Sequence, residues 1–139
     1  MITYFDTSVL MKLFLTDEAG AIVAGEIWLA TDSAICVEIG YVEVRAALAA
    51  ASRAKRLSAA QFEKSKVLFE NIWAQVEVVQ VDESLVRAAA ALAESDGLRG
   101  YDAMHFAAAL RVGVDTFAAA DSALIRAAVK HELAIAELI

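Results

Sequence analysis

Ile2-Thr3-Tyr4-Phe5-Asp6-Thr7-Ser8-Val9-Leu10 is a largely apolar run that stops on a carboxylate and then turns toward helix-forming residues. Ile2 to Phe5 are β-branched or aromatic and suit a buried strand, whereas Asp6, Thr7 and Ser8 are the small polar residues that start helices. The stretch therefore reads as a first, central strand with Asp6 at its carboxyl end. In open parallel α/β sheets that edge collects ligands, because loops converge there beside helix N-termini. Taken alone, Asp6 serves equally well as a helix N-cap.

Working outward, the 139 residues suffice for one domain over 1–139, with a core that buries roughly two-thirds of the unfolded surface. The lone Cys36 excludes an internal disulfide framework and suits a reducing compartment. Hydrophobic residues make up 60% of the chain, but polar residues break each apolar run before the roughly 18 residues that a membrane span requires. The start has no basic segment followed by an apolar one, as a signal peptide would. The expectation is a soluble cytoplasmic protein with no membrane partner.

The net charge of −7 opposes a broad phosphate-binding surface. Its distribution is uneven, since Arg45, Arg53, Lys55, Arg56, Lys64 and Lys66 face only Glu63 across residues 45–66. That strip reads either as a solvated helical face or as a docking strip for phosphates or an acidic partner.

Strand and helix signals then alternate. Helices are expected over Thr7 to Leu15 and from Thr16-Asp17-Glu18 to about Thr31, the latter with Ile22, Val23, Ile27 and Trp28 as its apolar stripe. A strand over Ser33 to Val37 leads to a helix from Ile39 to about Arg56, in which Gly40 is a weak point. Ser58 and Gln61 form a capping-box pattern before a helix from Ala59 to Trp73, with Phe62, Phe69, Ile72 and Trp73 inward. There follow a strand over Val76 to Val81, a helix from Asp82-Glu83-Ser84 to Asp96-Gly97, and a helix from Tyr101 to Val112. A strand over Thr116 to Ala120, a helix from Ser122 to His131 and a short strand over Leu133 to Ile135 complete the chain. The class is α/β, with a parallel sheet covered by helices on both faces.

Asp121 repeats the arrangement at Asp6, an aspartate between an apolar strand and a helix, so both acids are expected at one sheet edge. Asp102 stands at the start of another helix. Glu43 falls inside a helix with Ile39, Gly40, Ala46 and Ala47 at the neighbouring turns, so no local cation pairs with it. Four acids within about 5 Å of one another would repel by on the order of 3 kcal/mol per pair at an effective dielectric of about 20. Such a site needs a cation or retained protons, and all-oxygen ligation favours Mg²⁺ or Mn²⁺ over zinc. One or two such ions would orient a phosphodiester, activate water and stabilise the departing oxyanion, which is nucleic-acid hydrolysis.

Tyr4 to Leu10, Val42-Glu43-Val44-Arg45-Ala46-Ala47-Leu48, Leu98-Arg99-Gly100-Tyr101-Asp102-Ala103-Met104-His105-Phe106-Ala107 and Asp115-Thr116-Phe117-Ala118-Ala119-Ala120-Asp121 resemble the four acidic motifs of PIN-domain ribonucleases. The resemblance is greatest to the VapC toxins of type II toxin-antitoxin systems. It implies a PIN-like three-layer sandwich around a parallel sheet of about five strands. It also implies a Mg²⁺- or Mn²⁺-dependent endoribonuclease with the catalytic, metal-holding quartet Asp6, Glu43, Asp102 and Asp121. An RNA substrate, a VapB-type antitoxin and a homodimer are further implications. Ser8 resembles the hydroxyl residue that supports the first acid. The chain departs from the pattern at Ala119, where a Thr or Ser commonly precedes the last acid by two residues.

Arg99 reads as a phosphate or antitoxin contact or as a surface arginine. His105, one turn beyond Asp102, reads as a ligand, a proton carrier or a packed supporting residue. Asp96 reads as a solvated helix end or as a border of the metal pocket. Tyr4, Phe5, Leu13, Phe14, Trp28 and Trp73 read as core or subunit interface rather than base-stacking platforms. The competing functions are a PIN-fold RNA-processing nuclease without antitoxin and a non-catalytic PIN-fold binding module.

Overall fold

A computed structural model of the chain describes every residue except Thr16, Glu18, Glu137 and Ile139. Strand β1 (Ile2–Phe5) is followed by α1 (Thr7–Met11), α2 (Ala21–Ala30), β2 (Ser33–Val37), α3 (Ile39–Arg53) and α4 (Ala59–Trp73). Then come β3 (Val76–Val79), α5 (Glu83–Asp96), α6 (Gly100–Val112), β4 (Thr116–Ala118), α7 (Ser122–Lys130) and β5 (Ala134–Ala136). The strands form one parallel sheet in the order β3-β2-β1-β4-β5, flanked by helices. The α/β class and the central position of the first strand are as expected.

Tyr4 pairs with Ile35 on one side and Phe117 on the other, so β1 is covered along both edges. The chain grows from β1 through β2 to β3, then returns to place β4 on the opposite side of β1. That reversal makes the carboxyl edge between β1 and β4 the switch point at which such sheets open a crevice. The Asp6 N–H donates to the Ala118 carbonyl at 3.0 Å, which carries the β1–β4 pairing one residue beyond the strand.

Burial decides where several elements stop. The first helix ends at Met11 rather than Leu15, and Phe14 and Leu15 turn inward to pack with Val44, Leu48 and Phe69 in a second apolar cluster. Tertiary packing here overrides local helix preference. Of the expected start at Thr16-Asp17-Glu18, Thr16 and Glu18 lie outside the described residues, and α2 begins at Ala21 after Gly20 in the left-handed region at φ 85°. Val23, Ile27 and Trp28 pack on the main core, but Ile22 is 80% exposed and belongs with exposed Leu29 one helical repeat further along. The helix thus carries two apolar faces, and Ile22 is corrected from the inner to the outer one. Lys55, at φ 58°, lies in the left-handed region just beyond α3, which ends at Arg53 instead of Arg56.

The capping box at Ser58 and Gln61 is present with both of its hydrogen bonds, and Gly97 takes the left-handed position at the end of α5. Tyr4, Phe5 and Phe14 are buried, while Leu13, Trp28 and Trp73 are partly buried against the apolar clusters. No helix among the described residues is long and apolar enough to cross a membrane.

Gly40 is explained by close approach. A Cβ there would stand 2.6 Å from the Cys36 Sγ, so α3 can lie this near β2 only without a side chain at 40. Helix propensity alone favours Gly40→Ala by roughly 0.5–1 kcal/mol. We expect the opposite sign, a loss of about 1–3 kcal/mol in urea unfolding, with part of the loss recovered in the Cys36→Ala/Gly40→Ala double variant.

Candidate active site

Asp6, Glu43, Asp102 and Asp121 reach one open cavity of about 560 Å³, walled further by Thr7, Ser8, Arg99 and Ala120. They arrive on four different elements. Asp6 follows β1, Glu43 projects from the second turn of α3, Asp102 from the first turn of α6, and Asp121 stands between β4 and α7. A second cavity of about 460 Å³, lined by Glu43, Arg99, Gly100, Tyr101 and Asp102, shares three of these walls. All four acids picked out in the sequence are therefore brought together, and Ser8 and Arg99 with them.

The choice between cap and site residue resolves differently for the two strand-end aspartates. Asp6 occupies the N-cap position of α1 but makes no side-chain cap bond; its Oδ2 instead accepts from Ser8 Oγ at 2.8 Å. Asp121 caps α7 by accepting from the Ala123 N–H at 2.8 Å through Oδ1, and its Oδ2 lies 3.6 Å from Arg99 Nη2. One oxygen of Asp121 is structural and the other faces the cavity. Ala119 is buried, so no hydroxyl supports Asp121 from that position.

Glu43 does have a partner, drawn from far along the chain. His105 Nε2 is 2.5 Å from its Oε1, and Thr7 Oγ1 donates to the same oxygen at 2.9 Å. His105 is 1% exposed; its Nδ1 is 2.7 Å from the Tyr4 hydroxyl, which also accepts from the Val37 N–H at 3.0 Å. Burial pushes the imidazole pKa down, but hydrogen bonds with Cys36 and Glu43 and the negative charge of Asp6 outweigh it and raise the value to about 10. Both ring nitrogens are engaged, Nδ1 by the Tyr4 hydroxyl and Nε2 by Glu43, so His105 holds the Glu43 carboxylate in place. For Glu43 itself, burial acts upward, but the hydrogen bond and charge of His105, aided by Thr7, win and leave the carboxyl below its ordinary range. Asp6 shows the reverse balance: burial dominates over His105 and Ser8, and its carboxyl is held above the usual value. The sequence offers Tyr4 as core or subunit interface and Thr7 as helix start; a hydroxyl on each side of an acid at a strand end is the signal available for their role here.

Arg99 is the N-cap residue of α6, and its side chain, 83% exposed, bends back over the acids. Its Nε donates to Asp102 Oδ2 at 3.0 Å while Nη2 faces Asp121. These contacts, led by the hydrogen bond to Asp102, raise the pKa of the guanidinium.

The donor set suits a hard cation. Four carboxylates and the hydroxyls of Thr7 and Ser8 surround the cavity, both nitrogens of His105 are engaged, and Cys36 is fully buried. Among the described residues, no three acid, histidine or cysteine side chains already stand as joint ligands of one ion. The acids are instead bridged by two basic side chains, His105 to Glu43 and Asp6, and Arg99 to Asp102 and Asp121.

Asp96 lies away from this cavity and is not a solvated end. Its side chain is 3% exposed and pairs with Lys130 at 2.5 Å and His131 at 2.9 Å, which ties the end of α5 to the end of α7. In the basic strip, Arg45 pairs with Glu70 and Lys66 with Glu63, while Arg56 and Lys64 line a separate groove with Phe14, Leu57 and Leu68.

A family model described as PIN domain matches residues 3–130. Ribonuclease VapC49 of Mycobacterium tuberculosis (strain ATCC 25618 / H37Rv) is 39% identical over 112 residues, covering 81% of this chain and 77% of its own length. Ribonuclease VapC45 of Mycobacterium tuberculosis (strain CDC 1551 / Oshkosh) matches to the same extent. Among solved structures, Mycobacterium tuberculosis VapC20, described as a sarcin-ricin loop cleaving toxin, superposes with a TM-score of 0.69 at 19% identity, covering 90% of this chain and 94% of that one. VapBC2 from Rickettsia felis, bound to a DNA fragment from its promoter, gives a TM-score of 0.68 at 13% identity, covering 99% of this chain and 98% of that one. At such identities the two structures speak to the fold alone.

A carboxyl whose folded pKa is raised, as at Asp6, contributes stability that is present below its unfolded pKa of about 3.9 and is lost as pH rises through the folded value. In the presence of a chelator, Asp6→Asn should therefore melt at or above the wild-type temperature near pH 7, and any advantage should vanish below about pH 4. A much lower melting temperature for the variant at pH 7 would instead make Asp6 a structural residue.

Proposed function

The chain belongs to the PIN-domain family, in its VapC group, and we propose that it is a Mg²⁺- or Mn²⁺-dependent endoribonuclease toxin restrained by a VapB-type antitoxin. The reading extends to one domain over 1–139 acting in the cytoplasm as a homodimer. One observation carries it: four carboxylates from four elements face a single cavity at the switch point of a parallel sheet. The relatives named as ribonucleases supply the reaction class, and the VapBC assemblies among the structural relatives supply the kind of partner.

Asp6, Asp102, Asp121 and Glu43 would hold one or two divalent ions in this reading. Such an ion supplies positive charge to the phosphodiester and makes water a stronger acid near neutral pH. The chain's own residues do the rest. Ser8 steers the Asp6 carboxylate through its hydrogen bond. His105 and Thr7 fix the Glu43 rotamer from two sides of one oxygen. Asp121 is anchored by its cap bond, so its second oxygen keeps one direction. These contacts remove rotational freedom before RNA arrives, which is the geometric condition for an in-line displacement.

Asp6→Asn and Asp102→Asn should each lower Mn²⁺-dependent cleavage of RNA by at least about 100-fold and relieve growth arrest on induction, with circular dichroism preserved and no large loss of melting temperature. The 5′ ends of RNA mapped after induction of the wild type, but not of Asp6→Asn, should show new and recurrent cleavage positions. Wild-type activity in both variants would remove the quartet from the chemistry.

A further inference from the structure

We propose that Arg99 is the resident counter-cation of the carboxylate cavity, displaced from Asp102 and Asp121 by a divalent ion and then free to engage a phosphate of the RNA; this rests on the metal-dependent reading above. Among the described residues lining the cavity it is the only lysine or arginine. Its guanidinium spans two acids from different elements, with Nε at 3.0 Å from Asp102 and Nη2 at 3.6 Å from Asp121. That is ground a divalent ion held by both aspartates would need.

The two basic side chains that bridge the acids differ in how firmly they are held. His105 is 1% exposed with both nitrogens bonded, so removing it would mean unpacking the core. Arg99 is 83% exposed and meets the site through its contacts with the two aspartates. Exposed pairs of this kind contribute little each and cost side-chain entropy to maintain, so they yield readily to a competitor. A divalent ion carries twice the charge and no tether, and the guanidinium and the ion repel one another at this range. Arg99 sits at the N-terminal edge of α6, on the wall that the cavity of about 560 Å³ shares with its neighbour beside Gly100 and Tyr101. A guanidinium released there stands at the rim, and its planar fork matches a phosphate far better than an ammonium would.

Calorimetric titration of the full chain with Mn²⁺ alone reads the competition. Arg99→Gln should bind Mn²⁺ roughly five- to tenfold more tightly than wild type, with Arg99→Lys between them. Equal or weaker binding by Arg99→Gln overturns the proposal. Absence of Mn²⁺ binding by wild type and both variants would instead defeat the metal reading on which it rests, and the proposal with it. Loss of charge alone could tighten binding, so nitrogen NMR of the Arg99 Nε–H, assigned by its disappearance in Arg99→Lys, supplies a second readout. Saturation with Mg²⁺ should shift that resonance and speed its exchange with water; an unchanged signal overturns displacement. With short RNA at saturating Mn²⁺, Arg99→Gln should raise KM about tenfold with kcat within about twofold. A fall in kcat at unchanged KM overturns the phosphate contact.

Discussion

A buried histidine organises the acidic edge of this protein. His105 is cut off from water, and a polar group taken into a protein interior costs on the order of a few kcal/mol unless hydrogen bonds answer it. Here the answer comes from three groups on two elements: the Tyr4 hydroxyl on β1, Glu43 on α3, and the Asp6 carboxylate 3.8 Å away at the end of β1. Because those groups belong to separate parts of the chain, the ring is satisfied only when β1, α3 and α6 are assembled. Core packing and site geometry are therefore one constraint. The Tyr4 ring stacks on Phe117 at 5.3 Å and meets His105 edge-on at 5.8 Å, so the aromatic layer of the sheet sets the position of the imidazole.

The same arrangement divides the acids unequally. Asp6 and Glu43 share a histidine locked in the core, whereas Asp102 and Asp121 share an exposed arginine. Repulsion among four carboxylates would otherwise oppose folding in the absence of metal. Answering half of the cluster from within the core and half from its rim lowers that cost while leaving the rim side open to exchange. The raised pKa of Asp6 and the lowered pKa of Glu43 follow from their depths around His105: burial dominates at Asp6, while the contacts with His105 and Thr7 outweigh it at the more exposed Glu43.

Much of this was legible in residue order. A strand whose last residue is an acid, repeated at Asp6 and Asp121, places two carboxylates on one edge as soon as the sheet is parallel, and parallelism follows from alternating strands and helices. The capping box at Ser58 is local chemistry, so it is visible locally. What failed to show was whatever depends on distance in sequence. Glu43 looked unpaired because its neighbours one turn away are small or apolar, yet its partner comes from 62 positions later. Asp96 looked solvated because its partners Lys130 and His131 are likewise on another helix. Ile22 looked buried because α2 has apolar residues on more than one side, and periodicity alone does not say which side meets the sheet.

Asp6 and Asp121 finally show why cap and site residue were never exclusive descriptions. A carboxylate has two oxygens, and a helix N-cap uses one. At Asp121 the division is literal, Oδ1 to the Ala123 N–H and Oδ2 toward the cavity. At Asp6 the cap bond is absent, and the carboxylate is held by Ser8 instead, two residues later in the same turn. The helix gives up one side-chain cap, at a cost of about 1 kcal/mol, and in return the acid at the centre of the sheet faces its three companions. Local stability is exchanged for direction at the position where the switch point needs it, which is where a departure from the strongest capping arrangement is expected.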